Sequence, residues 1–184
     1  QDPDIILVGE VRDHDTAEMA FRAAMTGHQV FSTLHTNSAI RSIPRLVDLG
    51  IKPEVLAGNV IGIVAQRLLR SLCKACKVPH EPSAIELQLL GLAPGEPHSV
   101  FRPVGCPACE NLGYKGRISI LELLKFDAAL DELITQRASL KLMLDYVRQQ
   151  GFVSMAEDGL RRVKEGVTTV EEVGRVVDLT ELIH

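Results

Sequence analysis

The sequence predicts an α/β fold carrying an inserted tetracysteine subdomain and a carboxyl-terminal helical tail. Three observations carry this reading. The apolar run Ile5-Ile6-Leu7-Val8 and the run around Val30-Phe31 are separated by one helix-length spacer, the spacing of a strand–helix–strand unit. The four cysteines form two Cys-x-x-Cys pairs inside a proline-rich stretch. Beyond Asp127 the apolar residues recur at helical spacing in successive segments.

Taken in order, Ile5 to Val8 is a strand, and its unbroken apolar character suits burial on both faces. Asp15-Thr16-Ala17-Glu18 offers an N-cap with a following acid and opens a helix through Met25. Ala17, Met19, Ala20, Ala23 and Ala24 give that helix a small-residue inner face, and Gly27 ends it. Gln29 to Leu34 is the next strand. Asn37 or Ser38 caps a helix reaching Leu49, with Gly50 as its stop, and Pro44 inside it predicts a kink or break. Pro53 starts another helix, expected to run through Arg70 and deliver the chain to the first cysteine pair.

Residues 77–105 hold Pro79, Pro82, Pro94, Pro97 and Pro103, with a short helical pattern at Ala84 to Leu90, which marks an insertion. Ile118 to Leu124 follows Gly116-Arg117 as a strand. Three or four amphipathic helices complete the chain, around Leu130-Leu133-Ile134, Leu140-Met143-Leu144-Val147, Met155 to Val163, and Val170-Val173-Val176-Val177. There is no internal repeat and no low-complexity tract.

Composition narrows the function classes. At 184 residues and 46% hydrophobic content the chain can bury a sizeable core. The formal net charge of −4 disfavours a polyanion-binding surface, and five Phe, two Tyr and no Trp leave little for base stacking. The longest apolar runs fall well short of the ~20 residues a membrane helix needs. Nucleic acid and membrane insertion are therefore not expected.

Polar chemistry concentrates at two strand ends. Glu10 follows Gly9 directly after the first apolar run, and His35 follows the second. In open α/β sheets ligands bind outside the carboxyl ends of the strands. That places Glu10 and His35 side by side at one edge, where a water or a phosphate can be handled. His28 lies seven residues before His35, so it falls at the opposite end of the strand and on the opposite face. It suits a hydrogen-bonded structural role. Ser32 and Thr33 either bond neighbouring backbone or simply pack.

Cys73, Cys76, Cys106 and Cys109 supply four thiolates in two knuckles, with twenty-nine residues between the pairs. Four cysteines at this spacing suit tetrahedral Zn²⁺ in a closed, structural site. The alternatives, a redox pair or two disulfides, do not explain why both pairs share one spacing. A reduced, cytosolic setting follows.

Together these segments resemble the secretion ATPases that power type II secretion and type IV pilus assembly. Gly9-Glu10-Val11-Arg12-Asp13 looks like that family's Walker B segment. Gly27-His28 and Ser32-Thr33-Leu34-His35-Thr36-Asn37 look like its histidine box. Gln66-Arg67-Leu68-Leu69-Arg70 is similar to its Ala-Gln-Arg-Leu segment, and Gly113-Tyr114-Lys115-Gly116-Arg117 to its following turn and strand. Met155, Asp158-Gly159, Gly166, Thr168-Thr169 and Glu171-Glu172-Val173 match its terminal helical segment, where caps and packing suffice as roles.

The resemblance implies the second half of a RecA-like P-loop ATPase core. Residues 1–72 would hold the Walker B and histidine-box half, 73–110 the zinc insertion, and 111–184 the return strand and helical region. It implies Glu10 and His35 as catalytic, and Arg12, Arg67 and Arg70 as nucleotide-binding. Arg67 and Arg70, three apart on a predicted helix, either meet phosphate or a neighbouring subunit or form a solvated helix end.

The resemblance further implies a cytoplasmic homo-hexamer, peripheral at the inner membrane and docked on platform proteins. It would use ATP and Mg²⁺, with structural zinc. The tetracysteine subdomain points to secretion or assembly rather than pilus retraction. The phosphate cradle Gly-x-x-x-x-Gly-Lys-Ser/Thr occurs nowhere in the 184 residues. The chain is therefore expected to be the carboxyl-terminal part of a longer protein and inactive alone. Two rivals are a zinc-stapled interaction scaffold without hydrolysis, and a DNA-translocating or conjugative relative, which the negative charge disfavours.

Overall fold

The computed structural model describes residues 3–95 and 98–182, so Pro97 lies outside the described residues. In chain order the first elements are strand β1 (Ile5–Val8), helix α1 (His14–Met25), strand β2 (Gln29–Ser32), helices α2 (Ser42–Asp48) and α3 (Pro53–Leu56), and strand β3 (Gly62–Leu72). Next come strand β4 (Val78–Pro79), helix α4 (Ala84–Leu90), strand β5 (Phe101–Arg102), a 3₁₀ turn at Pro107–Cys109 and strand β6 (Tyr114–Lys125). Helices α5 (Ala128–Thr135), α6 (Leu140–Gln149), α7 (Met155–Lys164) and α8 (Val170–Gly174) follow, then a 3₁₀ turn at Thr180–Leu182. The fold class is α/β. Two compact units divide the chain, one of Gln1–Ala65 and Leu123–Phe152, the other of Gln66–Glu122 and Val153–His184.

In the first unit β1 and β2 pair in parallel, from Ile5 opposite Gln29 to Val8 opposite Ser32. α1 makes the crossover and packs on β2, with Ala17 and Ala20 buried. Its N-cap is Asp13 rather than Asp15: the Asp13 carboxylate accepts the Thr16 N–H at 2.9 Å. Gly27, at φ +99°, makes the turn into β2 that a side chain would strain. β1 is half-covered and not buried on both faces. Ile5 and Leu7 are 63% and 78% exposed, whereas Ile6 and Val8 on the other face are half-buried.

α2 is shorter than expected, with bends and turns in place of helix at residues 37–41. Pro44 occupies its third position, where the missing N–H would have had no intrahelical partner. The long helix expected from Pro53 to Arg70 is instead a four-residue α3 followed by the eleven-residue strand β3. Gly58, at φ +76°, turns the chain after α3, and Val60, Ile61, Ile63 and Val64 are β-branched. The buried residues Ala65, Leu69 and Leu72 fit helical spacing, which is why the periodicity misleads; Val64 and Leu68, 62% and 48% exposed, lie on the open face of a strand. β3 pairs with β6. α3 packs on α5, and α5 on α6.

In the second unit β4 and β5 form a short antiparallel pair, Val78 opposite Arg102 and Pro79 opposite Phe101. α4 is closed by a capping box between Ser83 and Glu86. It packs on α7, which packs on α8. Leu69, Leu90, Ile120, Val163 and Val173 form the core. Three buried acids sit among them, each aimed at a backbone N–H: Glu122 accepts from Met155, Asp158 from Leu121 and Glu172 from Arg70, all at 3.0 Å.

Candidate functional site

The parallel register of β1 and β2 carries both strands to the same edge. Glu10 lies just beyond the end of β1 and His35 just beyond β2. His35 Nε2 stands 2.8 Å from Glu10 Oε1. Arg12 donates from Nε to Glu10 Oε2 at 2.6 Å and places Nη2 2.5 Å from the same oxygen. The glutamate side chain is 19% exposed, against 75% for Arg12 and 88% for His35.

The two carboxylate oxygens differ. Oε2 is taken by the guanidinium. Oε1 is buried, meets His35 at ion-pair distance without hydrogen-bond alignment, and accepts no hydrogen bond among the described residues. The Arg12 hydrogen bond, with the charges of Arg12 and His35, holds the Glu10 carboxyl below its ordinary range against the effect of burial. The group is therefore held as an anion, with Oε2 bound by Arg12 and Oε1 covered beside His35.

His28 lies at the other end of β2. Its Nδ1 is 3.0 Å from the Ala23 carbonyl and 3.1 Å from Thr26 Oγ1, which ties it to the carboxyl end of α1.

The four cysteines converge in the second unit. Their Sγ atoms all lie within 4.8 Å of one another. Cys73–Cys106, Cys76–Cys109 and Cys106–Cys109 are separated by 3.9, 3.8 and 3.8 Å. A tetrahedral zinc with Zn–S of about 2.3 Å requires sulfur–sulfur edges of roughly 3.8 Å. The thiols are free, so the spacing is that of ligands and not of disulfides.

Backbone amides complete the cradle: Gly105 donates to Cys76 Sγ at 3.3 Å, Cys106 to Cys109 Sγ at 3.3 Å and Gly113 to Cys109 Sγ at 3.2 Å. Gly105 and Gly113 are at φ +110° and +76°. A Cβ there would meet Asn111 O at 2.7 Å and Pro103 Cβ at 2.5 Å. Burial pushes the Cys109 thiol up, but the amides of Cys106 and Gly113 bring it down to about 6. Cys109 is thus prepared to meet a metal as thiolate.

Arg67 and Arg70 are on β3, not on a helix. Residues three apart on a strand point to opposite faces, so the two do not share one. Arg67 Nη1 donates to the Gln66 carbonyl at 3.0 Å. Arg70 grips Glu172 through Nε at 2.9 Å and Nη2 at 2.5 Å, and its backbone N–H donates to Oε1 at 3.0 Å. The Arg70 guanidinium also lies 4.3 Å from the Tyr114 ring centre. Thr168 Oγ1 closes the network on the Arg70 carbonyl at 2.9 Å. This arrangement binds β3 to α8.

Removing either charge of this pair should have unequal effects. Glu172 is 5% exposed and Arg70 41%. Arg70→Ala strands a buried carboxylate and is expected to cost about 3 kcal/mol. Glu172→Gln leaves an arginine that rehydrates and should cost about 1–2 kcal/mol. Chemical denaturation of the 184-residue chain measures both, and equal losses would refute the asymmetry.

Burial pushes the Glu172 carboxyl up, but Arg70, through side chain and backbone, and Arg175 bring it net below its ordinary 4.5. Because the folded value lies below the unfolded one, the contribution is complete at neutral pH. It should persist to about pH 4.5 and disappear as pH falls through the folded value.

The family profile described as "Type II/IV secretion system protein" matches residues 1–175. The chain belongs to this family. Within the secretion-system family it is 51% identical over 176 residues to the type II secretion system protein E of Pseudomonas aeruginosa, covering 96% of this chain and 35% of that protein. It is 47% identical over 182 residues to the type IV pilus assembly ATPase TfpB of Acinetobacter baylyi, covering 98% of this chain and 31% of that protein. The chain thus spans about a third of the length of these relatives. The solved ATPase DotB of Yersinia pseudotuberculosis shares the fold at a TM-score of 0.63 and 19% identity, over 97% of this chain and 38% of that one. No helix among the described residues is long and apolar enough to cross a membrane.

The linear sequence predicts that Glu10 lies beside His35 and that the four cysteines converge, as the structure has them, but not how Arg70 is used. Glu172 was legible only as a cap or packing residue. Nothing in a linear pattern joins residues 102 positions apart. It also left open whether Thr33 bonds backbone; its Oγ1 donates to the Gly9 carbonyl at 2.8 Å.

Proposed function

We propose that this chain is the carboxyl-terminal part of an ATPase motor of the secretion-system family, powering a type II secretion pseudopilus or type IV pilus assembly. The observation that carries the reading is Glu10 Oε1 beside His35 Nε2, 2.8 Å apart at the carboxyl edge of two parallel strands. On this reading the chain supplies the second half of a RecA-like core in residues 1–72, a zinc insertion in 73–110, and a return strand with helical region in 111–184. The intact protein would be a cytoplasmic hexamer, peripheral at the inner membrane and bound to its platform proteins.

Glu10 and His35 are the proposed catalytic residues. Glu10 is the proposed acceptor for the water that attacks the γ-phosphate of ATP, once His35 turns from Oε1 to the phosphate. A carboxylate held below its ordinary range is a weak base. It suits orienting that water and taking its proton late, as a loose phosphoryl-transfer transition state requires. His35 Nε2 would donate toward a phosphate oxygen. Mg²⁺ would neutralise phosphate charge, with Glu10 as the anionic group at this edge fitted to its hydration shell.

Arg12, Arg67 and Arg70 are the proposed nucleotide-binding arginines, Arg12 by exchanging its bond to Glu10 for one to phosphate. For Arg70 that role requires release of Glu172, which makes it the most costly of the three.

The direct test compares the full-length protein with the isolated chain. The full-length protein should hydrolyse ATP with Mg²⁺. The chain, which lacks a phosphate-cradling loop, should show no steady-state hydrolysis and bind ATP only in the millimolar range, roughly 4 kcal/mol. Robust Mg²⁺-dependent hydrolysis by the chain alone would overturn the assignment of the phosphate site.

A further inference from the structure

We propose that Thr33 is a positioning residue for Glu10, acting through the backbone on both sides of it. The inference rests on the reading of Glu10 as the water-orienting group.

The β1–β2 ladder ends with Val8 opposite Ser32. Continuing its register by one residue sets Thr33 opposite Gly9. Thr33 Oγ1 donates to the Gly9 carbonyl at 2.8 Å, and the Thr33 carbonyl accepts the Val11 N–H at 2.9 Å. Glu10 is the only residue between these two anchors. One residue of the neighbouring chain segment therefore holds the peptide before Glu10 and the peptide after it.

The anchors matter because of what precedes Glu10. A Cβ on Gly9 would meet nothing within 4 Å, so packing does not restrain that residue, and glycine has the widest backbone freedom of any. Without the hydroxyl bond the Gly9 carbonyl would lose this anchor, and the carboxylate would swing with it. The partner contacts are short: Arg12 Nε at 2.6 Å and His35 Nε2 at 2.8 Å. Small rotations at Gly9 would lose them. Thr33 is also two residues from His35, so the segment that presents the histidine is the one that holds the glutamate. The Glu10–His35 spacing is thereby set by the Thr33 anchors as well as by side-chain rotamers.

The test uses the full-length protein with Thr33→Val, Thr33→Ser and, in parallel, Glu10→Gln. Steady-state ATP hydrolysis, the KM for ATP and the thermal transition are measured for each. Thr33→Val, which keeps the shape and removes the hydroxyl, should lower kcat roughly tenfold or more with KM for ATP changed by less than about threefold. Thr33→Ser, which keeps the hydroxyl, should restore kcat to within about threefold of the parent.

Parent-like kcat in Thr33→Val, with Glu10→Gln inactive, would overturn the role of Thr33 and leave that of Glu10 standing. An active Glu10→Gln would overturn the reading of Glu10 itself. Equal loss of kcat in the valine and serine variants would show that the hydroxyl is not what matters. Should Thr33→Val fail to fold, Thr33→Ala carries the same comparison. Failure of both to fold beside a folded serine variant would make the hydroxyl a support of the whole domain, which also overturns the proposal.

Discussion

Full-length protein carrying Glu10→Gln is expected to bind ATP as the parent does and to lose turnover by about 10²–10⁴ in kcat. The amide has nearly the shape of the carboxylate, so the edge formed by β1 and β2 should be undisturbed. What changes is charge and acceptor capacity. The buried Oε1 beside His35 no longer belongs to an anion, and the nitrogen that replaces one oxygen can only donate. A water oriented toward the γ-phosphate loses its acceptor. Nucleotide affinity should survive, because in P-loop enzymes it comes mainly from backbone amides, a lysine and Mg²⁺ around the phosphates.

Equilibrium nucleotide binding and phosphate release separate the two effects. Unchanged turnover would remove Glu10 from the mechanism and favour a scaffold role for this chain. The pH profile adds a check. Since the Arg12 hydrogen bond holds Glu10 below its ordinary 4.5, protonation of Glu10 should not limit turnover between pH 8 and 5.

Cys73→Ser combined with Cys106→Ser should abolish metal binding and unfold the segment around residues 73–113. The parent should carry one Zn²⁺ per chain. Sulfur separations of 3.8 to 3.9 Å match a zinc tetrahedron, and the double variant removes one ligand from each knuckle. Little else holds this segment. β4 and β5 are two residues long, and the buried apolar side chains among the described residues from 77 to 112 are Pro82, Leu90, Val100 and Cys109.

Apparent binding free energies of structural zinc run to about 10–16 kcal/mol, most of which is folding free energy of the surrounding chain. Without metal, four clustered thiols remain, and burial and their neighbours push Cys76 up to about 11. Metal analysis of unchelated protein gives the stoichiometry, and amide exchange over residues 73–113 gives the local fold. A stoichiometry near zero, or unchanged exchange in the double variant, would remove zinc as the staple.

The Arg12-Asp13 pair shows how motif and scaffold overlap at the strand edge. Arg12 reaches back to Glu10, while the next residue caps α1 through the Thr16 N–H. A substitution at Asp13 therefore acts on helix start and site together, which makes it a poor probe of chemistry.

Local chemistry was legible in the linear sequence wherever a short pattern had one structural outcome. The apolar run of β1, the short helix from Ala84 to Leu90 and the amphipathic helices after Asp127 are all legible in it. So were the convergence of Cys73, Cys76, Cys106 and Cys109 and the common edge of Glu10 and His35, because parallel pairing leaves His35 and His28 at opposite ends of β2. Tertiary structure alone decided β3. Buried Ala65, Leu69 and Leu72 satisfy a helical period, and the outcome turned on pairing with β6, a partner more than forty residues away. It also decided the use of Arg70, whose partner Glu172 lies 102 residues on, and the clamp of Thr33 on Gly9. Hydrogen bonds and ion pairs between distant residues depend on where the chain returns in space, and that position leaves no periodic trace in either partner's neighbourhood.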